Sequence, residues 1–364
     1  MKGRIIKWGI IIILLVVGVA SFVLWRRVDS QVKGLLLPNV PQYAGYSDLP
    51  EKTQGVQLTP FEITGWDGKP LQACVVSQAP QEEDLTPRQH ALLDRLRTTE
   101  LEDLPAIDYA LVSVNWDHGI RSALPLAEQL AAAGITCVLW EPRGSNSARP
   151  WCTHGLQESK DIPLLINELE KMSNKKRLLL VGVGQGFGAQ LLLQAAAKEP
   201  RLRATVALDP AASLNKSLKR AHISTPMREL IGRRMNQLTG LEPFDIAAAK
   251  SAALIPREAP IMLMYTGSAQ NNSVLDDAIA IYTQLQSDRK RMVTLRTPGD
   301  APAATTRSII YSPEGGTHEV AQSVDVELMP DAEEVPVDIL RWLNSCVRPL
   351  MEEPAPTILP THQS

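Results

Sequence analysis

The residues that could do chemistry sit at the ends of apolar runs. In LLLVGVGQGFGAQ (178–190) an apolar run meets Gly182, Gly184, Gly186 and Gly188, and a helical pattern follows at once. A Gly-rich corner between a strand and a helix serves one of two chemistries. It lets a pyrophosphate approach the helix N-terminus, or it lifts a nucleophile clear of the sheet. Three other turns carry polar groups: Asp117-His118-Gly119 behind ALVSVNW, Glu141-Pro142-Arg143-Gly144 behind ITCVLWE, and Glu314-Gly-Gly-Thr-His318 behind SIIYS. A histidine can act as a general base and a carboxylate can orient it, but both need an attacking atom. No Ser, Cys, Thr or Asp occurs from Asn174 to Arg203, so the Gly-rich corner brings none of its own.

The elements that must position these turns alternate along the chain. ALVSVNW, ITCVLWE, RLLLVGV, RATVALD and IMLMYTG read as strands, and helical patterns separate them. Continuous apolar strands divided by helices predict a mostly parallel sheet covered on both faces, a three-layer α/β sandwich. Ahead of it, residues 56–76 predict a hairpin turning at Asp67-Gly68. Residues 78–106 form an acidic insertion with one helix, in which Thr86 can cap and Pro87 starts the helix. MVTLRT and SIIYS are later strand candidates, a last helix is expected over 334–346, and residues 347–364 form a Pro-bearing tail. The body spans 56–346.

Of the 364 residues, 44% are hydrophobic and 21% charged, which places the chain among ordinary globular proteins. A net charge of -3 offers no basic field for nucleic acid, and no nucleic-acid partner is expected. The four cysteines form no metal-ligating spacing; Cys74 and Cys137 lie inside strand-like runs, as buried thiols do. No metal or cofactor is expected. From Trp8 to Trp25 no charge occurs, and as a helix this stretch spans roughly 27 Å, enough to cross a bilayer. Residues 1–27 therefore read as a membrane anchor and 28–55 as a stalk. Lys2, Arg4, Lys7 and the amino terminus outweigh Arg26 and Arg27, which favours the N-terminus inside and the body outside the cytoplasm.

His118-Gly119 after one strand, Pro142 to Gly144 after the next, CTHGLQESKD (152–161) opening a helix, the Gly-rich corner and the late His318 come in a telling order. In that order the chain resembles the α/β-hydrolase superfamily, in particular its serine esterases and serine aminopeptidase-like members. The resemblance implies a G-x-S-x-G corner with a strained serine. Matching Gly182 and Gly186 to the two glycines puts Gly184 in the serine slot, where no side chain can attack a carbonyl. It also implies an acid behind IMLMYTG, where Gln270 stands instead, with Asp209 as a substitute at the end of the preceding strand. His318 falls in the place of the base. The backbone amides of Ile120 and Gln185 fall at the oxyanion hole, and Glu158 and Asp161, in the first turns of a helix, read as structural.

Two other readings use the same residues. In one, His318 directs water at a bound ester, a non-standard hydrolase. In the other, Gly184-Gln-Gly186-Phe-Gly-Ala189 fits G-x-G-x-x-[GA] with Asp209 25 residues beyond Gly184, as in dinucleotide-binding Rossmann-type oxidoreductases. That reading leaves His118, Pro142 to Gly144 and His318 unused. The expectation is therefore a membrane-anchored hydrolase-like protein that binds a small acyl or carbonyl ligand, or a protein partner, without an intact triad.

Overall fold

The computed structural model describes residues 2–36, 52–53, 55–78, 85, 87–98, 107–113, 120, 123–141, 152–175, 177–242, 247–266, 272–295, 306–311, 322–329 and 335–352. Eleven strands form one sheet. They are β1 (Lys52–Thr53), β2 (Val56–Thr64), β3 (Pro70–Gln78), β4 (Tyr109–Ser113), β5 (Cys137–Trp140), β6 (Leu180–Gln185), β7 (Leu202–Leu208), β8 (Ile261–Thr266), β9 (Lys290–Leu295), β10 (Thr306–Tyr311) and β11 (Gln322–Met329). Their order is β1-β2-β3-β5-β4-β6-β7-β8-β9-β11-β10.

The predicted hairpin is β2–β3, paired antiparallel from Val56 with Gln78 to Thr64 with Pro70, and Gly68 donates its amide to Gly65 in the turn. β3 pairs antiparallel with β5, and from β5 to β9 every pairing is parallel. The parallel strands are the ones with unbroken apolar sequence, because helices cover both of their faces. Residues 322–329, not foreseen as a strand, form β11, which joins β9 in parallel and β10 antiparallel.

The helices are α1 (Lys2–Leu36), α2 (Pro87–Thr98), α3 (Leu124–Ala132), α4 (Asp161–Ser173), α5 (Phe187–Ala196), α6 (Leu214–Arg220), α7 (Thr225–Thr239), α8 (Ala248–Ala252), α9 (Asn272–Gln284) and α10 (Val335–Glu352). Pro87 opens α2, as its fixed φ allows at a first helical position. α3 and α10 bury Ala127, Leu130, Val337, Leu340 and Leu343 on one face of the sheet. On the other face α4, α5, α8 and α9 bury Leu165, Leu169, Leu192, Ala248 and Ile279. The three layers expected from the alternation are present.

Two boundaries move. α10 runs to Glu352, past the expected start of the tail at 347. More consequentially, residues 28–36 are not stalk. They continue α1, and Val28, Val32 and Leu36 are buried in a separate cluster with Leu214, Leu218, Ile231 and Met235 of α6 and α7. The i, i+4, i+8 spacing puts those three on one helix face. Asp29 binds Arg234 at 2.7 Å and Lys33 at 2.9 Å, which holds its carboxyl below the usual range. Among the described residues, no helix is long and apolar enough to cross a membrane. The side chains of α1 are described from Ile13 onward, five residues into the apolar run that starts at Trp8.

Candidate active site

The chain order turns back on itself beside β4, which has β5 on one side and β6 on the other. In open α/β sheets the crevice at the carboxyl ends of such strands is where ligands bind. The corner between β6 and α5 stands there.

Within that corner the two central glycines lack side chains for different reasons. Gly184 lies in β6, paired with Ser113 and Ala207, and is buried. A Cβ on it would stand 2.6 Å from the Ala189 nitrogen and from the Gly188 carbonyl carbon, inside the backbone of α5. The strand and helix touch so closely that no L residue other than glycine fits. Gly186 caps α5 with φ 57° and ψ -117°, a conformation that side chains adopt only under strain. Its amide donates to the Leu208 carbonyl at 2.8 Å, and its carbonyl accepts from the Gln190 amide at 3.1 Å.

The strained strand-to-helix position that carries a nucleophile in the G-x-S-x-G arrangement is thus Gly186, with Gly184 and Gly188 as its flanking glycines. This corrects the expectation that placed Gly184 in the serine slot between Gly182 and Gly186. Gly182 lies deeper in β6, where a Cβ would press on Leu192 at 3.3 Å. Gln185 is the exposed last residue of the strand, and the amide after the corner belongs to Phe187. The motif was visible, but glycines at every second position admit two registers. The signal that separates them is the sign of φ.

Asp209 follows β7 with φ 47°, and its amide donates to the Met264 carbonyl at 2.8 Å. Because Gly186 bonds Leu208, the structure brings Asp209 to the strand end next to the corner. Ile120 is buried in the turn ahead of α3, and its carbonyl accepts from Ala123 at 2.9 Å. His118, Gly119, Pro142 to Gly144, Gln270 and His318 lie outside the described residues.

Sequence reasoning missed His154. It stands in the CTHGLQESKD loop with φ 52°, and its carbonyl accepts from Gln190 at 3.0 Å and Gln194 at 3.1 Å, both on α5. Its ring hydrogen-bonds the backbone of Leu35, and burial pulls its pKa down to about 4. Cys152 donates its amide to the Leu36 carbonyl at 2.9 Å. The loop thus ties the end of α1 to the helix that leaves the corner. Glu158 holds the loop: it accepts from the Thr153 amide at 2.7 Å, the Thr153 hydroxyl at 2.6 Å and the Gly155 amide at 2.8 Å. Burial raises the Glu158 pKa against the pull of those donors. Asp161 accepts from the Trp66 amide at 3.0 Å. Both carboxylates act on structure, as expected.

Cys74, Cys137, Cys152 and Cys346 are all buried free thiols. Burial raises each pKa, that of Cys74 to about 11, so none offers a thiolate at neutral pH. Among the described residues no group of His, Cys, Asp and Glu could hold a metal ion.

No protein-family model and no curated protein matches this chain. Solved structures do. The esterase Pf2001 of Pyrococcus furiosus, in two crystal forms, is similar with TM-scores of 0.50 and 0.51 at 15% and 12% identity. Each match covers 86% of this chain and 98% of the esterase. An acylaminoacyl peptidase matches 68% of the chain with a TM-score of 0.48 and 15% identity, and this chain spans 38% of the peptidase's length.

Proposed function

Taking as premise the α/β-hydrolase fold that this chain has, we propose that it is a membrane-anchored protein of that fold without covalent catalysis. In this reading it binds a small acyl or carbonyl compound at the corner between β6 and α5. The observation that carries this reading is Gly186. The position with the strained geometry of a nucleophile has no side chain, and the chain holds no Ser, Cys, Thr or Asp from Asn174 to Arg203. Acyl transfer through an enzyme-bound ester needs an attacking atom at that place. Polarising a carbonyl does not. The start of α5 presents backbone amides and the positive end of its dipole, which suit a carbonyl or carboxylate oxygen.

The dinucleotide reading loses support. Its fingerprint assigns the corner to a pyrophosphate, whereas two fold neighbours, with TM-scores of 0.50 and 0.51, are esterase structures. The run between the tryptophans supports the anchor. Ile13 to Val17, Val19 and Phe22 to Trp25 are exposed large apolar side chains, from 43% to 65% accessible, a continuous greasy surface that water does not favour. The charge pattern around it supports an N-terminus inside and a body outside the cytoplasm.

The test is turnover of p-nitrophenyl acetate and butyrate by the full chain, beside Gly186→Ser and the double variant Gly186→Ser, His318→Ala. We expect the parent to be silent and Gly186→Ser to gain slow turnover that the second substitution removes. A parent that turns over, and stops on His318→Ala, would make the protein a hydrolase of non-standard mechanism and overturn this reading. Resistance of the full chain to extraction from vesicles by alkaline carbonate tests the anchor separately.

A further inference from the structure

Leu36 ends α1 and belongs to two contacts at once. Its side chain is buried in the cluster that α1 forms with α6 and α7, and its carbonyl accepts from the Cys152 amide at 2.9 Å. Next to it, the backbone of Leu35 bonds the His154 ring and favours its protonated form, as an accepting carbonyl does. A helix leaves its last four carbonyls without partners of its own, so the loop at 152–154 serves as the cap of α1.

The two contacts reach the corner by separate routes. The loop is held to α5, which leaves the corner at Gly186, through the bonds from Gln190 and Gln194 to the His154 carbonyl. α6 and α7 continue the chain from Asp209, at the end of the strand that Gly186 bonds. α6 has a hold on the body of its own: Lys216 and Arg220 pair with Asp277 of α9, which also accepts from the Ala212 amide. α7 has less. Ile231 and Met235 are buried with Val28, Val32 and Leu36, Met227 and Leu238 pack on the same cluster, and Arg234 is taken by Asp29 and Trp25. Among the described residues, no side chain of α7 belongs to the cores on the two faces of the sheet. α1 and α6 therefore keep α7 in place.

The turn that makes both contacts is weak by sequence. Gly34 stands in it, helical and exposed, and a Cβ there would meet nothing within 4 Å. Packing does not call for glycine, which in a helix costs conformational freedom that alanine would not. A small cluster closed by a weak turn opens before the body does.

We infer that the last turns of α1 are a releasable strap that holds both flanks of the corner. Wound, they cap the loop and seat α7. Unwound at Gly34, α1 gives up the carbonyl and the side chain of Leu36 together, so the loop and α7 loosen as one. On the reading of the corner as a binding site, on which this consequence rests, a displacement of α1 reaches that site through α5 and through the segment behind Asp209.

Hydrogen exchange read by mass spectrometry on the full chain in detergent micelles tests the strap. Val32→Asp puts a charge into the cluster. Exchange should quicken by about tenfold or more in residues 225–239 and in 152–159, with β4, β6 and β8 within about twofold of the parent. Gly34→Ala should slow both segments by about threefold to fivefold, the gain in helix propensity expressed as an opening constant. Either segment unchanged in Val32→Asp, equal acceleration of β4, β6 and β8, or no slowing in Gly34→Ala overturns the inference. The readout needs no ligand, so failure of the p-nitrophenyl test leaves the strap standing, and failure of the strap leaves the binding reading standing.

Discussion

At the end of β6 the segment Gly184-Gln185-Gly186-Phe187-Gly188 carries the chain round a corner with no ionisable group. At 152–161, on the other side of α5's hydrogen bonds, a loop twice as long buries a histidine, a glutamate, a threonine hydroxyl and a thiol in direct contact. The first region has the position of an active site and the composition of a spacer. The second has the composition of an active site and the bonds of a clamp. Glu158 is saturated by donors, and His154 grips α1 and α5 at once. Where buried polar groups are tied to the backbone around them they hold shape, and a composition rich in titratable groups is no guide to chemistry.

Substitutions can sharpen this contrast, beginning with the largest effect. Gly184→Ser should cost about 3 kcal/mol or more, or prevent folding, because its Cβ would overlap the backbone of α5; urea unfolding followed by circular dichroism reads this. If Gly184→Ser is as stable as the parent, the close contact between β6 and α5 is wrong. Glu158→Ala should lose about 2–3 kcal/mol by stranding the Thr153 and Gly155 amides, with Glu158→Gln, which keeps an acceptor, losing less. The ranking of their unfolding midpoints checks it.

His154 adds a pH dependence. Its folded pKa, near 4, lies below the ordinary 6.5, so the unfolded chain takes up the proton first as pH falls. Stability from this group is complete above pH 6.5 and is lost between pH 6.5 and about 4, by up to about 3 kcal/mol. Glu158, with a raised pKa, acts in the opposite sense, since its stability falls as pH rises above the ordinary carboxylate range. The His154 contribution is therefore read as the difference between the parent and His154→Asn, because asparagine tolerates the positive φ. Profiles that run parallel from pH 7 to pH 4 would place the ring in water.

The smallest effect should come from Gly186→Ser, at about 1–2 kcal/mol, the strain of a side chain at φ 57°. It should fold where Gly184→Ser does not, and that inversion of two glycines two positions apart is the direct check on which of them is the corner.

Much of this was legible beforehand. Apolar runs alternating with helical patterns predicted the layers, and Asp67-Gly68 the hairpin. β11 was not foreseen, although QSVDVELM alternates apolar and polar residues as a half-buried strand does. The first residues of the stalk were misjudged for a tertiary reason. Val28, Val32 and Leu36 form a stripe whose partners, Ile231 and Met235, come some two hundred residues later.

The sequence by itself determined the α/β layering and the lack of any nucleophile around the corner, since both are properties of contiguous stretches. Which glycine turns the corner, and that His154 and Glu158 form a clamp, only the tertiary structure decided. A backbone φ and the clearance of a missing Cβ depend on how closely β6 and α5 pack. The fate of a buried charge likewise depends on the donors that distant segments bring to it.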